Sequence, residues 1–172
     1  VELQRLRSDH AAAVLDFEWA NRAYFASSVS DRGDEFFAQF DERHRELLAE
    51  QDTGVCAFYV LVDEDGAVVG RFNFYGIGSG MADVGYRLAE EVTGRGLATS
   101  VLRQLCRLAA EQCGLTTLNA KVRDDNAASR RVLEKAGFVR TGSAEVSGRP
   151  GTSWVCRLDS VPARPGVVGS KW

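Results

Sequence analysis

The chain has 172 residues, 45% of them hydrophobic and 26% charged, with a formal net charge of −3. This length suits one domain with its own core, and the slightly acidic balance leaves no basic surplus to neutralise phosphates, which argues against a nucleic-acid or membrane-surface binder. No apolar run is long enough to span a bilayer, and the first residues lack the basic-then-apolar pattern of a signal peptide, so the expected location is cytoplasmic.

Val1–Arg7 alternates apolar and polar residues and reads as a short strand. Ser8 or Asp9 can cap a helix running to about Tyr24, with Ala13, Leu15, Phe17 and Trp19 near its buried side. A polar turn over Phe25–Asp34 precedes a second helix, Asp34 to Glu50, with an apolar stripe of Phe36, Phe37, Phe40, Leu47 and Leu48. The period then changes. Val55–Val62 and Ala67–Tyr75 read as two strands of a hairpin around Asp63-Glu64-Asp65-Gly66, since Asp-Gly accepts the positive φ of a tight turn. Gly76–Gly80 is expected as a flexible turn and Ala82–Leu88 as the next strand. From Gly96 to Cys113 apolar residues fall on one helical face, and Gly114 stops the helix. Thr116–Val122 reads as a strand and Asp125 or Asn126 caps a helix to Ala136. Phe138–Ser147 is a strand, Gly148-Arg149-Pro150-Gly151 a turn, and Thr152–Leu158 a closing strand. Residues 1–158 are expected to form one domain and 159–172 a loose tail. The order β-α-α-β-β-β-α-β-α-β-β predicts one mixed sheet with helices on both faces, an α/β or α+β domain.

Cys56, Cys106, Cys113 and Cys156 have no C-x-x-C spacing. Cys106 and Cys113 sit about 10 Å apart along one helix, too far for a disulfide, and read as reduced core residues. His10 and His44 lie in separate polar stretches, so no metal site is expected.

Thr93-Gly94-Arg95-Gly96-Leu97-Ala98-Thr99 runs straight into a helix. A helix start leaves about four N–H groups without intrahelical partners and carries roughly half a positive charge. Glycines remove the side chains that would keep an anion away, so the turn suits a phosphate. A plain strand-to-helix turn is the other reading. A dinucleotide-dependent oxidoreductase is disfavoured, because Thr99 stands where a third glycine belongs and a ribose-binding acid is missing. The phosphate-loop pattern of nucleotide hydrolases is absent.

Val84-Gly85-Tyr86-Arg87-Leu88, the turn Gly94–Thr99, and Asn126-Ala127-Ala128-Ser129-Arg130-Arg131-Val132-Leu133-Glu134-Lys135-Ala136-Gly137-Phe138 together resemble the GNAT superfamily of N-acetyltransferases, and within it the RimJ/RimL-like branch. The resemblance covers about residues 1–158 and includes Trp19-Ala20-Asn21-Arg22-Ala23-Tyr24-Phe25. One position departs from it: Thr93 stands where the superfamily usually carries arginine or glutamine, which removes a long polar contact but keeps a hydroxyl.

The resemblance implies a sheet splayed between the strands at 82–88 and 116–122, the fourth and fifth. It implies acetyl-CoA as cosubstrate, without a metal. The pyrophosphate would lie on the amides of Thr93, Gly94, Arg95, Gly96, Leu97, Ala98 and Thr99. The pantetheine arm would pair with Tyr86, Arg87 and Leu88, with Asn126 bonding the arm or holding the splay. Arg131 and Lys135 fall either near phosphate oxygens or on a solvated helix face.

Acetyl transfer must take a proton from the amine and give one to the leaving thiolate. Many superfamily members use a tyrosine seven residues after the motif asparagine; that position is Leu133 here. The branch instead implies Ser129, three residues after Asn126, as proton donor, although a hydroxyl in a helix's first turn also stabilises the helix. Asp83 is the candidate base, with Glu90 and Glu91 behind it, unless proximity alone suffices.

The acceptor side is expected from the first two helices. Trp19, Tyr24, Phe25, Phe36 and Phe37 supply aromatic surface there, and Asp31, Asp34 and Glu35 supply negative charge. The expected function is acetyl transfer to a primary amine, either a protein N-terminal α-amine or a small molecule. The expected partners are acetyl-CoA and that amine, with a homodimer left open, and neither nucleic acid nor a membrane. The alternative is a non-catalytic acyl-CoA-binding or sensor domain, which acetyl transfer to a panel of amines distinguishes.

Overall fold

The computed structural model describes residues 1–158, and the expected tail lies outside the described residues. In chain order the elements are β1 (Glu2–Arg5), α1 (Ala11–Ala20), α2 (Arg22–Ala26), α3 (Asp34–Ala38), α4 (Phe40–Asp52), β2 (Ala57–Val62), β3 (Val68–Gly78), β4 (Met81–Leu88), α5 (Leu97–Cys113), β5 (Thr117–Arg123), α6 (Ala127–Ala136), β6 (Val139–Val146) and β7 (Arg149–Arg157). Single 3-10 turns precede α1 and follow β4. The strands form one mixed sheet in the order β1-β2-β3-β4-β5-β7-β6, antiparallel throughout except where β4 meets β5. Among the described residues no helix is long and apolar enough to cross a membrane.

Helices cover both faces, and side-chain alternation along the strands shows which covers which. Arg71 of β3 lies opposite Arg87 of β4, and both reach Glu18 on α1. Phe72 lies opposite Tyr86 one residue along, so these two face the other way, where Tyr86 meets Ser129 on α6. Phe58, Phe72, Phe74, Leu102, Leu105 and Leu118 fill the core, each under 2% exposed. Cys56, Cys106 and Cys156 are buried and, like half-buried Cys113, unpaired by any disulfide.

Four local expectations change. The first helix breaks at Asn21, whose side-chain amide donates to the Phe17 carbonyl at 2.9 Å while its Oδ1 accepts the Glu90 N–H at 3.0 Å. Such side-chain bonds compete with the helical ladder. Trp19 is 61% exposed, and Glu18 takes the buried place beside it. The second helix divides at Gln39, which leaves helical geometry at φ −106°. The glycine-rich turn shrinks to Ser79-Gly80, because β3 continues to Gly78.

The last hairpin differs too. It reverses at Ser147-Gly148, both at positive φ, and Arg149, Pro150 and Gly151 already belong to β7. Gly151 has a packing reason: a Cβ there would meet the Val122 carbonyl oxygen at 2.6 Å and Val146 Cγ2 at 2.8 Å. Gly151→Ala therefore forces β5 and β7 apart and is expected to cost about 1–3 kcal/mol, the usual range for overpacking. Thermal melting should register it as a fall of about 2–4 °C per kcal/mol; an unchanged midpoint refutes the close approach.

Candidate active site

β4 and β5 pair only from Met81–Thr117 to Asp83–Asn119. Beyond that point β4 stays with β3 as far as Leu88, and β5 stays with β7 as far as Arg123. The strands diverge, and beside the splay lies a cavity of about 560 Å³. Tyr86, Arg87 and Leu88 line it from β4; Thr93, Gly94, Gly96, Leu97, Ala98 and Thr99 from the turn and the start of α5; Asn126 and Ser129 from α6. Arg131 and Lys135 also line it. Arg95, exposed on the turn, and Asp83 lie outside the lining.

The turn has the backbone its glycines suggest. Gly94 and Gly96 adopt φ of +75° and +74°, and a Cβ at either would meet no heavy atom within 4 Å. No side chain caps α5, and Ser100 makes its first bond, to the Gly96 carbonyl at 3.1 Å. The amides just before Ser100 therefore have no intrahelical partner and suit an anion. The Thr93 hydroxyl donates to the Glu90 carbonyl at 2.7 Å, so its proton is already in use.

On α6, Asn126 is the N-cap, its Oδ1 accepting the Ser129 N–H at 3.1 Å. The Ser129 hydroxyl lies 2.9 Å from that of Tyr86, whose ring stacks on Phe72 with centroids 5.4 Å apart. Burial pushes the Tyr86 phenol above its ordinary pKa, and the bond to Ser129 pulls the other way. Leu133, where many relatives of this motif carry tyrosine, is 1% exposed in the core.

Some lining residues were absent from the sequence reading. Ser28, Val29 and Val92 carry no local signal; Ser28 is held by a bond from Arg123 to its carbonyl at 2.5 Å, across 95 positions of chain. Tyr24 and Phe25, expected on the acceptor side, line this same cavity.

The remaining acceptor-side groups already have partners. Arg22 bonds Asp31 at 2.7 Å and Asp34 at 2.8 Å, and its guanidinium lies 4.8 Å from the Phe37 ring centroid and 5.8 Å from that of Trp19. Arg32 covers Phe36 at 4.7 Å. Glu35 accepts from Gln39 at 3.1 Å. Buried Glu18 gathers Arg71 at 2.8 Å, Arg32 at 3.1 Å and Arg87 at 3.7 Å. These acids are engaged within the segment but not neutralised, since Arg22 serves both Asp31 and Asp34 and the partner of Glu35 is a neutral amide.

The bonds from Arg22 hold Asp31 down at about 2, against an ordinary value of about 3.9. A carboxylate depressed in the folded state stabilises it above the ordinary value and loses that contribution as pH falls through the depressed one. The Asp31 carboxyl should therefore titrate by NMR near 2, and Arg22→Gln should return it towards about 3.9. An Asp31 that already titrates normally in the parent protein contradicts the pairing.

Asp83 is exposed on the α1 face of β4, opposite Tyr75 on β3 and Asn119 on β5. It makes no ion pair or side-chain hydrogen bond among the described residues.

A family model described as the acetyltransferase (GNAT) domain matches residues 1–139. The chain is 27% identical over 161 residues to the probable N-acetyltransferase YjcK of Bacillus subtilis (strain 168), covering 90% of this chain and 88% of that protein. Among solved structures it is similar to the ribosomal-protein-S5-alanine acetyltransferase from Vibrio fischeri, with a TM-score of 0.85, 20% identity and 94% of each chain covered. It is also similar to Mycobacterium smegmatis RimJ in complex with CoA-disulfide, with a TM-score of 0.82, 25% identity, and 94% of this chain and 83% of that one covered. A spermidine N-acetyltransferase and an aminoglycoside acetyltransferase share the fold at TM-scores of 0.75 and 0.73.

Proposed function

The chain belongs to the GNAT acetyltransferase family, and from that premise we propose that it moves an acetyl group from acetyl-CoA directly to a primary amine, either a protein N-terminal α-amine or a small-molecule amine. The observation that carries this reading is the hydrogen-bonded pair of Ser129 and Tyr86, 2.9 Å apart, in the cavity that also takes in the Gly94–Thr99 turn. A domain that only sensed acyl-CoA would need the turn but not a poised hydroxyl.

The chain's residues divide the work. The unpaired amides at the start of α5, with Arg131 and Lys135 beside them, hold phosphate oxygens. Tyr86, Arg87 and Leu88 offer the backbone edge that β5 leaves open, which suits the amides of a pantetheine arm. Arg95 stands outside the cavity lining, and its neighbours Gly94 and Gly96 supply the cradle on either side of it. Asn126 acts by fixing the start of α6, because its Oδ1 is committed to the Ser129 amide.

In the transfer, the amine nitrogen forms a bond to the thioester carbonyl carbon and the carbon–sulfur bond breaks. Asp83 takes one ammonium proton, directly or through water, before the attack; as the carbon–sulfur bond breaks, Ser129 gives its proton to the sulfur and regains one from the nitrogen, which leaves a neutral amide. These groups come from opposite faces of the sheet, Asp83 from the α1 face and Ser129 from the α6 face. Base and acid thus flank the splay and do not quench one another.

The test is acetyl transfer from acetyl-CoA to a peptide with a free N-terminal alanine, to spermidine and to kanamycin, followed by thiol release and by the mass of the product. Acetylation of one class above the others supports the proposal and selects the acceptor. Tight coenzyme binding with no acetylation of any of the three favours the sensor reading.

A further inference from the structure

Within residues 19–40, Asp31, Asp34, Glu35, Phe36 and Phe37 could meet an amine only beside groups that already contact them. The α1 face of the sheet supplies another place. In the register of β3 with β4, Asn73 lies opposite Gly85 and Tyr75 opposite Asp83, and directly opposed residues share a face of the sheet. Asp83 is also the last residue of β4 paired with β5. This patch therefore sits where the splay begins, on the face away from Ser129.

Tyr75 is 43% exposed, an unusual exposure for a large hydrophobic side chain in this molecule. Its ring stands beside the one residue of β4 without a side chain: a Cβ on Gly85 would meet only Tyr75 Cε2, at 3.6 Å. Phe58 packs edge-on against the ring from β2, with centroids 5.9 Å apart. The Asn73 side-chain amide donates to the Tyr75 hydroxyl oxygen at 2.9 Å, and Asn73 Oδ1 is left buried with no donor. A buried acceptor without a donor is destabilising. The chain keeps an asparagine in that state while it braces an exposed phenol, which packing alone does not require.

We infer that Tyr75 and Asp83 together receive the ammonium group of the acceptor, and that Asn73 is a positioning residue for Tyr75. An aromatic face attracts a cation, and a carboxylate makes charge-assisted hydrogen bonds with it. Asp83 makes no ion pair among the described residues and is open to the incoming group. The inference rests on the proposed acetyl transfer for the identity of the ligand as a primary amine. It adds that the acceptor is recognised as a cation before it is deprotonated, by β3 and β4 rather than by the helical segment.

Calorimetry on the protein saturated with coenzyme A tests this without depending on turnover. The titrants are the alanine-initiated peptide, spermidine and kanamycin. At least one should bind, and Tyr75→Leu should weaken it at least tenfold with coenzyme A affinity unchanged. Asp83→Asn should weaken the same amine comparably, which keeps the test decisive if the Tyr75 variant misfolds. Asn73→Leu should weaken binding in the parent protein but add nothing in the Tyr75→Leu background; a merely structural asparagine would add its own effect in both. The inference is overturned if none of the three amines binds, or if Tyr75→Leu and Asp83→Asn bind as the parent does. Binding that behaves as expected, with no acetyl transfer, removes the proposed function and leaves this site standing.

Discussion

Ser129→Ala is expected to lower kcat by about 10–100-fold, the range for losing a general acid, with the KM for acetyl-CoA within about twofold of the parent. The structure separates the two jobs a serine can do at this place. Capping of α6 uses the Asn126 side chain and the backbone N–H of Ser129, and neither is altered by alanine. The hydroxyl alone meets Tyr86. Burial keeps the phenol protonated, so it can donate to Ser129 Oγ and leave the serine's own proton free for the sulfur. Tyr86→Phe should show the same pattern more weakly, and the double variant should be little worse than Ser129→Ala, because the tyrosine acts through the serine. A variant lacking the hydroxyl that turns over at the parent rate, with an unchanged melting point, ends the case for Ser129 as acid.

Gly96→Val should weaken acetyl-CoA binding by more than tenfold, about 1.4 kcal/mol or more. Gly96 holds φ at +74° and opens α5. A β-branched residue resists that conformation by roughly 1–2 kcal/mol, and any relaxation turns the first amides of α5 away from a common point. The Cβ itself would strike no protein atom, so the loss belongs to the amide cradle and to the space a phosphate needs. Gly33→Val supplies the control: Gly33 also has positive φ, +83°, with nothing within 4 Å of its would-be Cβ, and it stands outside the cavity. Equal losses of coenzyme affinity in both variants, or none in either, contradict the assignment of the turn.

Period and punctuation made the element order readable. Alternation marked β1, a dense apolar run marked β2, and Gly114 and Gly137 mark the ends of α5 and α6 through left-handed backbone. Most of the cavity lining was legible for the same reason, since the Gly94–Thr99 turn and the Asn126–Ser129 start lie in contiguous runs at helix starts. The parts that escaped depend on partners far along the chain. Asn21 breaks its helix while binding Glu90, 69 residues away. Glu18 looks like a solvent residue on its helix until three distant arginines surround it. Asp31 and Asp34 look like bait for a cation until Arg22 folds onto both. Asn73 and Tyr75 look like ordinary strand residues, and only the register of β3 with β4 sets them beside Gly85 and Asp83.

The short contact between β4 and β5 has a mechanical side. Among the described residues, three residue pairs and the bonds from the Thr116 and Thr117 N–H groups to the Gly80 carbonyl form the backbone seam between a four-stranded block and a three-stranded one. Each block is antiparallel within itself, while the seam is parallel and closes only after the chain has travelled through α5. Parallel, non-local pairing is intrinsically slow to form, so the seam is expected to close after the two antiparallel blocks. A molecule lying along it acts as a splint between two leaves, and its binding energy adds directly to the work needed to separate them. If acetyl-CoA lies there, as the proposed function requires, the protein's rigidity is partly borrowed and rises and falls with the coenzyme's supply.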